Sequence, residues 1–576
     1  MRRLVVVFVV FVALGALVAG FGLWLAAARG GGSALPGSAL LLTYRLEGEL
    51  PDHDGERPFP LPGSQPAPSL SRLWTALAAA RADDRVVGLA LEIRDASLGL
   101  AKAEELRRQI AAFAAAGKRV DCYLESAGEG GNGTLEYFLA SACPSISLAP
   151  AGEVALLGLY ADSLFLRGTF DKLKVEPSFL TAGRFKSAAE TFTERAHSPA
   201  AREALDALLD AYFAQIVDGV ASGRSLPADA VRALVDRGPL SADEALAAGL
   251  IDTIAYPDQF DAGLEKSSGD AERLDLLDYG RRHDRARPGG ERIAVVFAEG
   301  TIVRGEGSVE PWGGQRYLGS DELGETLAAL AKDDQVKAVV LRIDSPGGSA
   351  LASDLILRRV ELLAAKKPVV VSMSDLAASG GYYIAAKATR IVAEAGTLTG
   401  SIGVVSGKLA TGRFQEELLG ATHDPLARGA HAGLYSSLAP FDDAERALVE
   451  RRLAAVYGLF LDHVAAGRKL ERGAVEAVAQ GRIWSGADAL ARGLVDELGG
   501  LDAALAAART AAGLDAGAGA LDLYPKTPGF WEWLSSSRAP RLSARWAALA
   551  GQLVRGARAP LELELPAELA GLARPF

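Results

Sequence analysis

The sequence DDRVVGLALEI at residues 83–93 returns 250 positions later as DDQVKAVVLRI at residues 333–343. Later segments match at slightly smaller offsets: Gly158 corresponds to Gly403, and ASGR at residues 221–224 corresponds to AAGR at residues 465–468. A repeat of this length indicates two tandem domains of one fold and not a solenoid of short units. Because one copy of a duplicated domain can keep its chemistry while the other drifts, differences between the copies point to the functional site.

Each copy alternates short apolar runs with longer helical patterns. In copy two, residues 339–343 predict a buried strand, and Ile356, Val360 and Leu363 follow it at helical spacing. This alternation predicts an α/β fold with a largely parallel sheet. The predicted organisation is a membrane anchor and linker (1–38), copy one (39–280), a breaker-rich connector (281–291), copy two (292–510) and a C-terminal arm (511–576).

Composition excludes several classes of protein. The chain has 576 residues, 49% of them hydrophobic and 23% charged, which is enough for two full cores. Its net charge of −11 offers no basic surface for nucleic acid. Two cysteines, Cys122 and Cys143, are too few for a disulfide framework or a zinc ribbon. We expect them to be buried thiols, and a disulfide is the alternative if this region lies outside the cytoplasm.

The N-terminus carries an apolar segment. Residues 4–28 contain no charge and follow Arg2 and Arg3. Their length is enough to cross a hydrocarbon core of roughly 30 Å, and arginines before a span keep the N-terminus in the cytoplasm. We therefore predict one transmembrane helix, with the rest of the chain on the other side. The alternative is a signal peptide cleaved near residues 26–28.

Ser379 is the candidate nucleophile. It stands in ASGGYY at residues 378–383, between a predicted strand and a predicted helix. Small neighbours leave its hydroxyl reachable, and the free N–H groups of a helix N-terminus suit a developing oxyanion. The alternative is a structural N-cap. A second turn, DSPGG at residues 344–348, offers the backbone of Gly347 and Gly348 to an oxyanion or an extended peptide, or is a simple strand-to-helix connection.

Lys186 is the candidate base, because the His/Asp partner of a catalytic triad is not evident in the sequence. Ser187 and Glu190 have the spacing of a capping box, which places Lys186 just before a helix N-terminus. That position, together with burial by Phe185 and Phe192, is expected to lower the lysine pKa. A neutral amine is what a general base must be. The alternative is an ordinary exposed lysine.

The two copies differ at these positions. Ser379 corresponds to Thr134, and Lys186 corresponds to His431. The DSPGG turn corresponds to RDASL at residues 94–98, which has no glycine pair. We therefore predict a single site, to which copy one contributes the lysine and copy two contributes the serine and the glycine turn.

Together these residues resemble the long, two-domain form of bacterial signal peptide peptidase (protease IV), a serine–lysine peptidase of the Clp protease and crotonase superfamily. The resemblance runs from the apolar N-terminus to the region of residue 510. It is carried by the duplicated core, Lys186 in FKSA, Ser379 in AASGGY, the SPGG turn, and LTGSIG at residues 398–403.

The resemblance implies two tandem Clp protease/crotonase-like domains, each a β-superhelix with flanking helices, after one transmembrane helix. It implies no cofactor and no metal, and a homotetramer on the outer face of the bacterial cytoplasmic (inner) membrane. Signal peptides and other unfolded peptides are the implied substrates. The implied site residues are Ser379 as nucleophile, Lys186 as general base, Ser401 as the residue that orients the lysine, and Gly347, Gly348 and Gly380 as backbone contacts to the oxyanion or substrate.

Two other functions are weighed against this one. A crotonase-like acyl-CoA enzyme also uses glycine-rich turns as oxyanion holes, but the membrane anchor and the lysine–serine pair argue against it. A non-catalytic membrane scaffold with a degenerate site is disfavoured because the serine, the lysine and the glycine pair are all present.

Overall fold

The computed structural model describes residues 35–53, 68–284, 290–309 and 315–526. The predicted transmembrane segment and most of the C-terminal arm lie outside these residues. Within the described ranges, no helix combines the length and the apolar character needed to cross a membrane.

Copy one is built on a parallel sheet. Its strands are β1 (Leu40–Glu49), β2 (Val86–Ser97), β3 (Arg119–Leu124), β4 (Ser145–Leu148), β5 (Glu153–Val154), β6 (Glu176–Ala182), β7 (Leu240–Ser241), β8 (Thr253–Ile254) and β9 (Glu272–Asp275). Its helices are α1 (Leu70–Ala82), α2 (Leu100–Ala115), α3 (Thr134–Ala140), α4 (Arg167–Leu173), α5 (Glu190–Thr193), α6 (Pro199–Arg224), α7 (Ala228–Arg237), α8 (Ala242–Ala247), α9 (Pro257–Ser268) and α10 (Leu276–Asp284). Six strands pair in the order β8-β4-β3-β2-β1-β9, all parallel.

Copy two repeats this plan. Its strands are β10 (Arg292–Glu299), β11 (Thr301–Val303), β12 (Ser308–Val309), β13 (Arg316–Gly319), β14 (Val336–Ser345), β15 (Val369–Ala378), β16 (Arg390–Ala393), β17 (Leu398–Gly400), β18 (Val404–Ala410), β19 (Ile483–Ser485), β20 (Glu497–Leu498) and β21 (Ala520–Tyr524). Its helices are α11 (Ser320–Leu330), α12 (Ala350–Ala364), α13 (Gly380–Ala385), α14 (Asp443–Arg468), α15 (Arg472–Val478), α16 (Gly486–Ala491) and α17 (Leu501–Ala511), with a π-helical turn at Phe414–Leu418.

The second sheet has eight strands. Six follow the order β19-β17-β15-β14-β10-β21, and β16 joins β15 to β20. All its pairs are parallel except β17 with β19. Its central strands, β14 and β15, are buried almost throughout, as is usual for a parallel sheet whose two faces are covered. The predicted helix face of Ile356, Val360 and Leu363 is fully buried.

Equivalent side chains confirm the duplication. Tyr137 donates a hydrogen bond to the carbonyl of Leu250 (2.6 Å), and Tyr382 donates one to the carbonyl of Leu494 (2.9 Å). The prediction of two tandem α/β units with largely parallel sheets is therefore confirmed. The last strand, β21, pairs with β10 and so places residues beyond 510 in the second sheet.

The copies are joined by strands as well as by helices. β6 of copy one pairs with β18 of copy two, antiparallel, from Ala182 opposite Val404 to Glu176 opposite Ala410. Helix α2 of copy one packs against β15 of copy two. These contacts bring the loop after β6 to the edge of the second sheet.

The expectation of two free thiols is wrong. Cys122 on β3 and Cys143, just after α3, are joined by a disulfide. The sequence pattern does not reveal this pairing because it depends on α3 bringing the chain back beside the strand it left.

Candidate functional site

Ser379 stands where β15 turns into α13. Its backbone has φ 52° and ψ −114°, a conformation that non-glycine residues rarely adopt and that is often held at functional positions. The turn is fixed because the N–H of Ser379 donates to the carbonyl of Gly400 (2.9 Å). The serine side chain makes no capping hydrogen bond to the helix, so the N-cap alternative is wrong.

Three predicted residues come together within one chain. Lys186 Nζ lies 2.9 Å from Ser379 Oγ, 2.9 Å from Ser401 Oγ and 3.0 Å from the carbonyl oxygen of Ser401. These are hydrogen-bond distances. Ser401 follows β17 and also has a positive φ, 51°, which turns its hydroxyl and its carbonyl toward the same amine.

Two glycines bring the lysine loop close to copy two. A Cβ on Gly183 would lie 2.6 Å from the carbonyl carbon of Gln480, and a Cβ on Gly481 would lie 2.6 Å from the Cβ of Lys186. The N–H of Phe185 donates to the carbonyl of Gln480 (2.7 Å). Both positions therefore need a glycine, because any side chain would push the two backbones apart.

Burial lowers the pKa of Lys186 to about 8. Removing an ammonium group from water disfavours its charged form, and the partners found at Nζ are hydroxyls and a carbonyl instead of a carboxylate. The expected direction and the expected contribution of burial therefore agree with the structure. A substantial fraction of the amine is neutral near pH 8.

The predicted capping box beside Lys186 is not formed. Helix α5 spans four residues and begins at Glu190, with Ala189 as its N-cap. The carboxylate of Glu190 accepts hydrogen bonds from the N–H (3.1 Å) and the hydroxyl (2.6 Å) of Ser198 instead of closing onto Ser187. The prediction failed because Ser198, eight residues later, competes for the same carboxylate.

The glycine turn lies against the start of α13. A Cβ on Gly347 would lie 2.5 Å from the backbone nitrogen of Gly380, and a Cβ on Gly380 would lie 3.2 Å from the nitrogen of Gly348. The N–H of Gly347 already donates to Ser345 Oγ (3.1 Å). In the part of the chain that the structure describes, the N–H groups of Gly348 and Gly380 donate to no backbone acceptor, so they are the better candidates for oxyanion donors.

A cavity of ≈ 530 Å³ opens between α14 and the start of α12, which directly follows this turn. Its walls are mostly apolar, and they include Leu351, Val404 and Leu453. One end is polar: Asp354 accepts hydrogen bonds from the hydroxyl of Tyr383 (2.9 Å) and from His463 Nε2 (3.1 Å). Sequence analysis missed this cluster because its members come from α12, α13 and α14 and share no local spacing.

No group of ligating side chains suited to a metal ion is found among the residues that the structure describes. The polar groups that meet at Lys186 Nζ are the hydroxyls of Ser379 and Ser401 and one backbone carbonyl. This arrangement can transfer a proton between a hydroxyl and an amine.

Comparison with known proteins gives one family. The model of Peptidase family S49 matches residues 113–269 and 361–515, one segment in each copy. The chloroplastic serine protease SPPA of Arabidopsis thaliana is 34% identical over 484 residues, which cover 82% of this chain and 69% of that protein. Protease 4 of Salmonella typhi is 32% identical over 458 residues, which cover 76% and 71%.

Among solved structures, a point mutant of ClpP1 from Listeria monocytogenes is 14% identical to this chain. The match covers 37% of this chain and 94% of the ClpP1 chain, with a TM-score of 0.24. The family match and the two relatives support a serine peptidase, and the chain belongs to Peptidase family S49.

Proposed function

We propose that this protein is a serine endopeptidase with a Ser379–Lys186 dyad, which cleaves signal peptides left after processing and other unfolded peptides. The observation that carries the proposal is the 2.9 Å distance between Lys186 Nζ and Ser379 Oγ, made across the two copies. A nucleophile in hydrogen-bond contact with a base that a third group orients is the arrangement that activates a serine.

The mechanism follows from the groups present. Neutral Lys186 takes the proton of Ser379 as the hydroxyl attacks the scissile carbonyl, and the tetrahedral oxyanion is stabilised by the N–H groups of Gly348 and Gly380. The protonated lysine then returns its proton to the leaving amine, which leaves an acyl-enzyme. Lys186 next activates a water that releases the acid. Ser401 orients the amine throughout.

The substrate has to be an extended main chain. Extended peptides commonly bind by adding a strand beside an exposed backbone, and here β18 and Ser349, the residue after the glycine turn, border the cavity. The apolar walls of that cavity suit apolar side chains such as those in the core of a signal peptide. Lys186 argues against an acyl-CoA enzyme, because the chemistry of such an enzyme does not need an amine beside a serine.

The test is acylation and peptide hydrolysis by the purified chain. A fluorophosphonate probe is expected to label Ser379, and Ser379→Ala and Lys186→Ala are each expected to lower kcat on an unfolded fluorogenic peptide by about 10³-fold or more. Lys408→Ala is the matched control, because Lys408 is a partly buried lysine of the same interface that donates to the carbonyl of Leu434. Hydrolysis that survives in Ser379→Ala would contradict the proposal, and absence of any cleavage by the folded wild type would favour a scaffold.

We also propose that residues 4–28 anchor the protein in the cytoplasmic membrane and that it assembles as a homotetramer. Helix α2 of copy one is packed against copy two, whereas its counterpart α12 leaves Leu355 and Leu362 exposed. Such exposed leucines suit contact with another subunit. Mass photometry of the detergent-solubilised chain is expected to give four copies, and carbonate washing is expected to leave the protein with the membrane. A monomer, or release by carbonate, would contradict the respective part.

A further inference from the structure

Two aspartates lie just upstream of the two halves of the site. Asp344 is near the end of β14, three residues before Gly347, and Asp375 is on β15, four residues before Ser379. One strand therefore leads to the glycine turn and the other to the serine. The relative position of these two strand ends sets the distance from the serine to the backbone N–H groups of the turn.

A lysine of copy one bridges these aspartates. Lys102, in the first turn of α2, is buried, with Nζ 2.9 Å from Asp344, 3.6 Å from Asp375 and 3.5 Å from Asp52. Its backbone N–H donates to Asp375 as well (3.0 Å). Burial by itself would lower the pKa of Lys102, but the carboxylates of Asp52, Asp344 and Asp375 outweigh it and hold that pKa well above its usual value.

The helix approaches the second strand end closely. A Cβ on Gly99, the N-cap of α2, would lie 2.2 Å from the Cγ of Asp375. Along the same helix, Glu104 accepts a hydrogen bond from the N–H of Gly396 (2.8 Å), and Glu105 accepts one from the N–H of Leu501 (3.0 Å). The lysine is therefore held in place by a series of contacts between α2 and copy two, and not by its own side chain alone.

In copy one, the two corresponding strand ends carry opposite charges and need no cation from the other copy. There, Arg94 and Glu125 form an ion pair with each other. In copy two both ends are acidic, and like charges at close range repel unless a cation lies between them. The position in α12 that corresponds to Lys102 is Ala352, so copy two has no cation of its own there.

We propose that Lys102 is a positioning residue for the candidate site: it holds the glycine turn and the serine strand at the separation that transition-state stabilisation requires. Lys102 touches neither Ser379 nor Lys186, and it acts through Asp344 and Asp375. Copy one thus contributes to the site twice, once with a base and once with a bridge between two strands. The proposal rests on the proposed peptidase activity of Ser379.

The test compares Lys102→Met with wild type by active-site titration with a fluorophosphonate, followed by kcat and KM on an unfolded peptide. Displacing the oxyanion donors reduces the stabilisation of the transition state more than that of the bound substrate. We therefore expect kcat per titrated site to fall roughly 10- to 100-fold, while KM stays within about two-fold. Lys367→Met is the matched control. Lys367 is a partly buried lysine at the opposite end of the same sheet, donating to the carbonyl of Leu330 (2.8 Å), and its loss is expected to lower thermal stability without changing kcat.

A further pair of variants keeps the proposal testable if Lys102→Met does not fold. Lys102→Arg retains a cation and is expected to keep kcat within about three-fold. Lys102→Met combined with Asp344→Arg reproduces the Arg94–Glu125 arrangement of copy one and is expected to recover most of the lost activity. A folded Lys102→Met with unchanged kcat, or a folded double variant that stays inactive, would overturn the positioning role. Hydrolysis that persists in Ser379→Ala would instead overturn the proposed function.

Discussion

Each copy has a turn from a central strand to a short helix, β3 to α3 in copy one and β15 to α13 in copy two. The hydroxyl at the start of each helix has different hydrogen-bond partners in the two copies. In copy one, Thr134 Oγ1 accepts hydrogen bonds from the N–H groups of Leu157 (3.0 Å) and Gly158 (3.0 Å) and donates to the carbonyl of Gly158 (3.2 Å). In copy two, Ser379 Oγ faces the amine of Lys186. A hydroxyl whose hydrogen bonds are all made with the backbone stabilises a loop, whereas a hydroxyl that faces a basic amine can be deprotonated.

The difference shows what a duplicated domain needs in order to keep chemistry. The catalytic turn of copy two has to leave donors and a hydroxyl unused by its own backbone, and this costs stability. Copy one satisfies those groups internally and is free to act as a support, which brings Lys186 and Lys102 to its neighbour. Substitutions in either copy can test this difference in function, and their expected effects on activity differ widely in size.

Outside the Ser379–Lys186 dyad, the largest effect is expected at the glycine turn, which copy one lacks. In Gly348→Ala a Cβ would lie 2.2 Å from the carbonyl oxygen of Ile302, at a φ of +148°. The turn must shift, so we expect kcat to fall by about 100-fold, the usual effect of losing one oxyanion donor. Gly117→Ala is the control, since Gly117 also has a positive φ but faces open space. Equal kcat in the two variants would contradict a role for the turn in the site.

Ser401→Ala is expected to have a smaller effect. It removes the hydroxyl 2.9 Å from Lys186 Nζ but leaves the carbonyl contact of residue 401 in place. With one of two orienting groups left, we expect kcat to fall about ten-fold, as for other groups that orient a functional side chain. Ser225→Ala is matched for backbone strain, with φ 53° against 51°. A Ser401→Ala enzyme as active as the Ser225→Ala enzyme would show that the carbonyl alone positions the amine.

The pH dependence should report the titration of Lys186. Its pKa is lowered by burial to about 8, and a protonated lysine cannot accept the serine proton. Activity is therefore expected to rise with pH through a midpoint near 8, falling about ten-fold per pH unit below it. The check is kcat/KM measured over roughly pH 6 to 10 at constant ionic strength. A flat profile across this range would exclude Lys186 as the base.

The same shift has a consequence for stability. The folded-state pKa of Lys186 lies below its ordinary value of 10.5, so between about pH 8 and pH 10.5 the unfolded chain binds more protons and stability rises with pH. Below that window the full cost of a buried ammonium is present. Lys186→Met is therefore expected to raise the free energy of unfolding by roughly 1–3 kcal/mol at pH 7, measured by urea unfolding, with Lys408→Met as control. A destabilised Lys186→Met would mean that the contacts of the amine outweigh its desolvation.

Sequence alone predicts the fold and much of the candidate site, for reasons visible in particular residues. The central parts of the repeated strands, residues 88–91 and 338–341, are apolar because they are buried in the sheets, and that pattern survives when surface residues change. Aligning the copies then points to Ser379 and Lys186, because each stands where the other copy has a different residue, Thr134 and His431. The structure brings them together as the comparison predicts.

What could not be predicted depends on contacts far apart in the chain. Lys102 is 242 positions from Asp344, and although Asp344 opens the DSPGG turn, Lys102 stands in no recognisable motif. The Ser187–Glu190 spacing is typical of a capping box, but a local pattern cannot show that Ser198 takes the carboxylate. Spacing along the chain finds groups on one element, whereas bridges between copies depend on how whole sheets dock.

The smallest effect is expected from restoring a serine to copy one. In a Ser379→Ala background, Thr134→Ser keeps a hydroxyl at the position equivalent to the nucleophile. We expect no fluorophosphonate labelling and no peptide hydrolysis, because the backbone of Leu157 and Gly158 would hold the serine as it holds the threonine. The lysine is also absent, since position 431, which corresponds to Lys186, holds a histidine. Labelling of residue 134, located by mass spectrometry of the labelled peptide, would show that a hydroxyl in this turn is reactive without a lysine. The difference between the copies would then lie in the side chain at the turn and not in what faces it.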